Sequence, residues 1–336
     1  MNLITPLISS ILPLTALAVL LVHGCGVTPS PGFPAQTKNK FEPPDGKVLL
    51  IIGQNAGVFE TYAASTGTTP AGFMVYTSVQ DVSGLEDEAH YEGVTQYAQP
   101  VVDRYPNTAV QIGLYMVDAL DEVASGKFDG NIDKLGNWIK KAERPVFLRI
   151  GYEFDGAHNH HDPAQYAAAY RHIVDRLRQH GIDNAAFVWH GTCALSEKPP
   201  EAWYPGDGYV DWFGISYFDQ SQAMMMPMVR LAKTHQKPLM IAESTPRGGS
   251  STYFGKGSWD SWFKPYFKFI EDNNIKAISY IDDNWETIEM WKGKGWGDAR
   301  IEANKYVKQH WLEEIRKPKY LHASPELFKK LGYTLR

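Results

Sequence analysis

Cysteine is nearly absent from this chain, which has 336 residues and only two cysteines, Cys25 and Cys193. A small fold held together by several disulfides is therefore excluded. Clustered basic residues are also missing, and the formal net charge is −5. Because nucleic-acid binding needs grouped Lys and Arg side chains to meet the phosphates, we expect no nucleic-acid partner.

One long apolar stretch runs from Leu7 to Val22 and is soon followed by Cys25. An apolar run of about 15 residues suits a secretory signal better than a membrane span, which needs about 20. The ending Leu21-Val22-His23-Gly24-Cys25 resembles a bacterial lipobox, in which the cysteine is lipidated; an ordinary cleaved signal or an uncleaved anchor is the alternative. We expect a secreted or outer-surface protein that meets the membrane only through a lipid on Cys25.

The sequence divides into three parts by composition. Residues 1–25 form the signal and lipobox, and residues 26–46 carry five prolines without apolar periodicity, which is typical of an extended tether. We expect residues 47–336 to form a single folded domain. No internal repeat or low-complexity segment interrupts this third part.

Eight short apolar runs alternate with amphipathic stretches after residue 47. The runs are Val48–Gly53, Gly72–Thr77, Ala109–Tyr115, Pro145–Gly151, Ala185–His190, Asp211–Tyr217, Pro238–Glu243 and Lys276–Ile281. Helical spacing is clearest in Ala164–His180, after an Asp162-Pro163 start signal, and continues in Trp259–Asp272 and Ala299–Ile315. This alternation predicts an α/β fold, a (β/α)8 TIM barrel. Active sites in that fold lie at the C-terminal ends of the strands.

Two glutamates stand where an apolar strand meets its loop. Glu153 follows the fourth strand and Glu243 ends the seventh. Three βα units separate them, so the two carboxyl groups can face each other across the barrel mouth. Glycoside hydrolysis needs such a pair, with one carboxyl protonating the leaving oxygen and the other attacking the anomeric carbon or activating water. An ion pair at a strand end is the alternative for either residue.

Several segments resemble glycoside hydrolase family 26, the β-mannanase family. The segment 149–156, Arg-Ile-Gly-Tyr-Glu-Phe-Asp-Gly, resembles its acid/base motif, residues 203–214 resemble the run into its sixth strand, and residues 237–243 resemble its nucleophile strand. The resemblance implies a retaining β-glycosidase with Glu153 as acid/base and Glu243 as nucleophile. Two departures leave other polysaccharides as open as mannan: Tyr152 replaces the histidine usual before the acid/base, and residues 157–161 replace an aromatic-rich stretch.

Other strand-end residues are candidates for contacting the substrate. Tyr217 ends the sixth strand, where related barrels use a tyrosine to orient the nucleophile, and core packing is its alternative. Trp285 is a candidate floor for a sugar ring, while Trp189 and His190 border the site or serve the core. The remaining candidates, which flank Glu153, are Tyr152 and His158. Arg149 is expected to point into the barrel or pair with an acid.

The histidines after Glu153 raise the question of a metal. His158, His160 and His161 lack the i, i+4 spacing of helical metal ligands. We therefore expect no metal and no cofactor, with a polysaccharide or oligosaccharide as the partner. Two alternatives remain open at this point: a catalytically silent surface glycan-binding barrel, and a metal-dependent barrel hydrolase built on these histidines.

Overall fold

The computed structural model describes residues 39–91, 93–193 and 196–334. The predicted signal, Cys25 and most of the tether lie outside these ranges. Within the described ranges, no helix has both the length and the apolar character that crossing a membrane requires.

Eight parallel strands close into a barrel. They are β1 (Val48–Gly53), β2 (Gly72–Ser78), β3 (Ala109–Tyr115), β4 (Val146–Ile150), β5 (Ala185–Gly191), β6 (Trp212–Tyr217), β7 (Leu239–Ser244) and β8 (Ala277–Ile281). Each strand pairs with the next, and β8 pairs with β1 to complete the ring. The predicted (β/α)8 barrel is confirmed, with every strand end within one residue of its predicted position.

Helices cover the outside of the barrel. They are α1 (Val58–Thr66), α2 (Gln99–Arg104), α3 (Leu120–Ala124), α4 (Asp129–Lys141), α5 (Pro163–Gln179), α6 (Gln222–Thr234), α7 (Lys264–Asp272) and α8 (Lys305–Ile315). The described part of the connection from β5 to β6 has only a 3₁₀ turn, Pro200–Trp203, where the repeating pattern would place a helix. A short hairpin, Ala89–Tyr91 with Val94–Gln96, follows β2.

The helix ends follow local capping chemistry. The Asp162 side chain accepts hydrogen bonds from two backbone N–H groups of the first turn of α5, at 2.9 and 3.1 Å. The predicted helix there is confirmed. The helix predicted over Ala299–Ile315 begins later, at Lys305, because Asn304 caps it by accepting from the Tyr306 N–H at 3.0 Å.

The barrel interior changes from apolar to polar along the strands. Leu49, Phe147 and Trp212 fill it near the strand starts. A fully buried polar layer lies nearer the C-terminal ends, formed by Gln111, Arg149, His190, Ser216 and Ser279. Polar side chains inside a barrel need partners, since an unpaired buried polar group costs free energy. Both glutamates contact this layer, Glu243 through Arg149 and Glu153 through Ser216.

The N-terminal end of the barrel is closed by residues that we predicted to be tether. Phe41 is buried and packs edge-on against Phe147, with ring centroids 6.0 Å apart. Glu42 and Asp45 lie 3.5 and 3.3 Å from the ammonium group of buried Lys276. The described part of the tether, residues 39–46, therefore packs on the barrel instead of extending from it, because Phe41 buries a large apolar surface there.

Candidate active site

A β-bulge aims Glu243 into the barrel. Ile215 of β6 pairs with Ile241, but the next residue, Ser216, pairs with Glu243, so Ala242 is an extra residue in β7. Side chains alternate along a regular strand, and an inward Ala242 would leave Glu243 outside. The bulge lets both residues face the interior. Gln111 supports it, because its amide donates to the Ala242 carbonyl at 2.8 Å.

Glu243 is held by two donors inside the barrel. The Tyr76 hydroxyl donates to its Oε1 at 2.7 Å, and the Arg149 guanidinium forms an ion pair with the same oxygen. Only 7% of the residue is exposed. Burial raises the pKa of the Glu243 carboxyl, and Glu153 adds to the rise, while the Arg149 charge and the Tyr76 hydrogen bond act against it. The two donors thus favour the ionised carboxylate that burial alone would disfavour.

Glu153 sits on a strained turn directly after β4. Its φ is 56°, a left-handed conformation that costs a non-glycine residue on the order of 1–3 kcal/mol. Gly151 is also left-handed, and a Cβ there would lie only 2.5 Å from Met116 Cε. The buried Asn159 amide donates to the carbonyls of Tyr152 and Glu153, both at 3.0 Å, and holds the turn. Strain of this kind is concentrated at functional sites.

A chain of hydrogen bonds joins the two glutamates through the polar layer. Arg149 Nη1 lies 3.3 Å from His190 Nδ1, His190 Nε2 lies 3.0 Å from Ser216 Oγ, and Ser216 donates to Glu153 Oε1 at 2.6 Å. The guanidinium can only donate, so His190 Nδ1 accepts and its Nε2–H donates to Ser216. Burial and the Arg149 charge lower the pKa of His190 well below its ordinary value, which keeps the ring neutral.

His158 contacts the other oxygen of Glu153. Its Nε2 lies 3.1 Å from Oε2, and 60% of its side chain is exposed. The hydrogen bond to Glu153 raises the pKa of His158. Glu153 is therefore held from the barrel interior at one oxygen and from the solvent side at the other.

Comparison with known proteins identifies the family. The sequence profile of glycosyl hydrolase family 26 matches residues 87–286. The chain belongs to glycosyl hydrolase family 26. It is therefore a glycoside hydrolase, as the resemblance of the short motifs implies.

Two curated relatives are similar over most of the chain. A β-1,3-xylanase of a Vibrio species, TXYA, is 33% identical over 318 residues, which cover 86% of this chain and 69% of the relative. A β-1,3-xylanase of an Alcaligenes species is 33% identical over 319 residues, covering 87% and 68%.

A solved structure shares the fold. A family 26 β-mannanase from Bacteroides ovatus has a TM-score of 0.61, with 16% identity, and the match covers 84% of this chain and 93% of that one. This likeness agrees with the barrel described above.

Three of the candidate substrate-binding residues of this family 26 protein lie where a substrate cannot reach them. Trp189 is fully buried on the outer face of β5, stacked on Phe154 with ring centroids 4.4 Å apart. Tyr217 also faces outward, and Gln222 donates to its hydroxyl at 2.9 Å. For both residues the structure shows the alternative given above, a place in the core, because side chains alternate and the neighbours His190 and Ser216 are the inward residues. His190 is fully buried beneath the carboxyls and serves their network instead of a sugar.

The predicted sugar floor, Trp285, is only 2% exposed. Trp291 and Trp296 cover it, with ring centroids 5.7 and 4.6 Å away, and its indole N–H donates to Thr245 Oγ1 at 3.2 Å. Trp285 therefore packs as core. The covering tryptophans are partly exposed and are the members of this cluster that solvent reaches.

Tyr152 and the loop histidines have separate surroundings. Tyr152 is half-buried at the barrel mouth, with its ring centroid 5.1 Å from that of Tyr76. His160 pairs with Asp118 at 2.7 Å, whereas His161 is buried. Among the described residues no group of three or more His, Cys, Asp or Glu side chains is arranged to hold a metal ion.

Three residues of the site were not predicted from the sequence: Tyr76, Gln111 and Ser216. Each is a polar or aromatic residue inside an otherwise apolar strand, and this exception to the apolar pattern could have indicated a place in the site. Arg149 gave the same signal, and its predicted pairing with an acid inside the barrel is confirmed.

Proposed function

We propose that this protein is a retaining, endo-acting β-glycan hydrolase in which Glu153 is the acid/base and Glu243 the nucleophile. The observation that carries the proposal is the unequal setting of two buried carboxyls at one barrel mouth. Glu243 is held by a cation and a phenol. Glu153 is held by a serine, with its second oxygen beside an exposed histidine. Carboxyl pairs with unlike surroundings are typical of acid and nucleophile roles.

The mechanism needs an ionised Glu243 and a protonated Glu153. Glu243 attacks the anomeric carbon while Glu153 gives its proton to the departing glycosidic oxygen, which leaves a covalent glycosyl–enzyme ester. Glu153 then takes a proton from water as that water attacks the same carbon and releases Glu243. The Arg149 ion pair supports the first role, because it favours the negative charge on Glu243 before attack.

We propose β-1,3-xylan as the substrate. The support is that both relatives at 33% identity, matched over 86% and 87% of this chain, are β-1,3-xylanases. A mannan endo-1,4-β-mannosidase from Bifidobacterium adolescentis is 23% identical over 53% of the chain. Tyr152 and the segment 157–161, which depart from the mannanase pattern, flank Glu153 and are consistent with a different sugar.

The deciding experiment is digestion of a polysaccharide panel by the wild type, Glu243→Gln and Glu153→Gln. The panel contains β-1,3-xylan, β-1,4-xylan, β-1,4-mannan and mixed-linkage β-glucan. We expect oligosaccharides of mixed length from β-1,3-xylan, with the β-anomer formed first in proton NMR spectra, and no turnover by Glu243→Gln. Initial release of the α-anomer would contradict retention, and binding of a glycan without any product would favour a silent glycan-binding barrel.

We also propose that the enzyme is exported and anchored through a lipid on Cys25. The apolar run and the lipobox-like ending are the support. Labelling cells with an alkyne-tagged fatty acid tests this: the wild type should carry the label and partition with membranes, and Cys25→Ala should do neither.

A further inference from the structure

The loop after β4 folds His158 back onto Glu153. The Gly156 N–H donates to the Glu153 carbonyl at 2.8 Å, and the Asn159 N–H donates to the Gly156 carbonyl at 2.9 Å, so two tight turns follow each other. Glycine at residue 156 leaves room for the imidazole in this position, because a Cβ there would lie 2.6 Å from His158 Cε1 and the ring would have to shift. The contact between His158 and Glu153 is therefore built into the backbone of this loop.

His158 and Ser216 hold different oxygens of the Glu153 carboxyl. Ser216 donates to Oε1 from the buried side at 2.6 Å, whereas His158 Nε2 lies 3.1 Å from Oε2 on the solvent side. Because Oε1 is engaged inside the barrel, Oε2 is the oxygen open to a ligand. Any proton that Glu153 gives or takes must pass through the oxygen that His158 contacts.

The negative charges around His158 favour the protonated form of its imidazole. Glu153, Glu243 and Asp155 are the acids that face it, and the hydrogen bond to Glu153 is the main reason that its pKa is raised. The nearby His161 has its pKa lowered to about 4 by burial and by the charges of His160 and His158. His161 is therefore neutral near pH 7 and does not compete for the proton.

We propose that His158 is the proton partner of Glu153, a positioning residue whose imidazole shares one proton with the carboxyl oxygen that it contacts. This inference rests on the acid/base role proposed for Glu153. In the first step the shared proton passes through Oε2 to the glycosidic oxygen as the bond from that oxygen to carbon breaks and the bond from Glu243 to carbon forms. The pair is then neutral imidazole and carboxylate. In the second step water bonds to the carbon, the ester to Glu243 breaks, and the proton from water returns to the pair.

The first test is the pH profile of kcat/KM for His158→Gln, with His160→Gln as the matched control. His160 lies on the same loop and its side chain is also 60% exposed, but it pairs with Asp118 and not with Glu153. Two interacting groups that share a proton lose it at a higher pH than either group alone. We expect the alkaline limb of His158→Gln to move to lower pH by on the order of one unit. The His160→Gln profile should superimpose on that of the wild type, and a uniform loss of kcat in His158→Gln with an unmoved limb would overturn the proposal.

The second test does not depend on turnover. The His158 imidazole is titrated by nitrogen-15 NMR in the wild type and in Glu153→Gln, whose folding is checked by thermal denaturation. We expect the pKa of His158 to fall in Glu153→Gln, because the carboxylate that stabilises its cation is gone. An equal pKa in both proteins would overturn the shared proton even if the enzyme hydrolyses xylan. A fall in an enzyme that hydrolyses nothing would instead count against the proposed function alone.

Discussion

Two pairs of acids lie near the C-terminal end of this barrel, and they are stabilised in different ways. Glu153 and Glu243 are joined through Arg149, His190 and Ser216. The second pair, Asp282 and Glu302, follows β8, and Asp282 is only 2% exposed. The nearest arginine in the sequence, Arg300, is bound to Asp298 at 2.7 Å. The first pair is thus organised around a buried cation that contacts Glu243, whereas the Arg300 charge acts on the second pair while its guanidinium is bound to Asp298.

The second pair has too few donors for two ionised carboxylates. The Ile301 N–H donates to Asp282 Oδ1 at 2.7 Å, but Asp282 Oδ2 and Glu302 Oε2 are both buried and have no donor. Burial raises the pKa of Asp282 well above its ordinary value, and the charge of Glu302 raises it further. A proton on Asp282, which its raised pKa favours, gives the pair a donor that it otherwise lacks.

The comparison shows that two neighbouring acids in one barrel can differ in how strongly their surroundings favour ionisation. The nucleophile that we propose, Glu243, must be ionised, and it is in direct contact with a buried guanidinium and a phenol, whereas the Arg300 charge acts on Asp282 and Glu302 only while it is paired with Asp298. The predictions below remove those donors in turn and then supply one to the second pair.

The largest effect is expected from Arg149→Met, which removes the cation from the pair Glu153 and Glu243. Removing one partner of a buried ion pair costs about 3–5 kcal/mol of stability. Losing the group that holds the nucleophile ionised should also lower kcat/KM on the order of 10²–10³-fold. Urea denaturation and steady-state kinetics measure the two losses.

The control for Arg149→Met is Arg144→Met. Arg144 is also buried, but its guanidinium donates to backbone carbonyls of Val102, Tyr105 and Thr108 and not to either glutamate. It should lose stability while the folded fraction keeps its kcat/KM. Equal losses of kcat/KM in both variants would mean that Arg149 acts only through folding.

Ser216→Ala cuts the link between the network and Glu153. It removes a hydrogen bond to the carboxyl and leaves the His190 N–H without an acceptor, a penalty of about 1–3 kcal/mol. We expect roughly a tenfold fall in kcat/KM for substrates with poor leaving groups. Aryl glycosides with good leaving groups should lose less, because their departure needs less protonation. Ser258→Ala is the control, since Ser258 is equally buried but donates to the Ser251 carbonyl and to neither glutamate; a matching loss there would contradict a specific role for Ser216.

The strand pattern predicted the barrel and the two glutamates because apolar runs and strand-end polarity are local properties of the sequence. The orientation of Glu243 was not predictable in this way, because it depends on an extra residue, Ala242, that only the pairing with β6 defines. The left-handed turn at Glu153 was hidden for a similar reason, since glutamate gives no local signal for a positive φ. In β5 and β6 the side chains alternate regularly, so His190 and Ser216 point into the barrel while Trp189 and Tyr217 point outward. This rule was available from the sequence and separates the residues that can reach the site from those that cannot.

Tyr76→Phe removes the neutral donor from Glu243 while leaving Arg149 in place. The Tyr76 hydrogen bond lowers the pKa of Glu243, so its loss raises that pKa further. Since the nucleophile must be ionised, the acid limb of kcat/KM should move to higher pH. A hydrogen bond to a charged group is worth about 1.5–3 kcal/mol, which corresponds to a shift of about one to two pH units. Tyr166→Phe, which loses a buried hydroxyl bonded to the Ile150 carbonyl at 2.9 Å, should not move the limb; a shift common to both variants would contradict the assignment.

The smallest effect is expected from Asp282→Asn, which supplies the second pair with a donor of its own. The amide oxygen of the new asparagine can keep the hydrogen bond from the Ile301 N–H. Its amide N–H can donate to Glu302 in place of the proton that the Asp282 carboxyl carries. Because the folded pKa of Asp282 is raised, wild-type stability falls as the pH rises above the ordinary aspartate pKa, and the variant escapes that fall. We expect Asp282→Asn to be more stable than wild type by about 1 kcal/mol at pH 8, with the difference vanishing towards pH 4.

Urea denaturation at both pH values measures this difference in stability, with Asp103→Asn, at an exposed aspartate, as the control. A variant that is less stable at pH 8 would mean that Asp282 and Glu302 are both ionised and bound to a cation. The two pairs, Glu153 with Glu243 and Asp282 with Glu302, would then be stabilised in the same way.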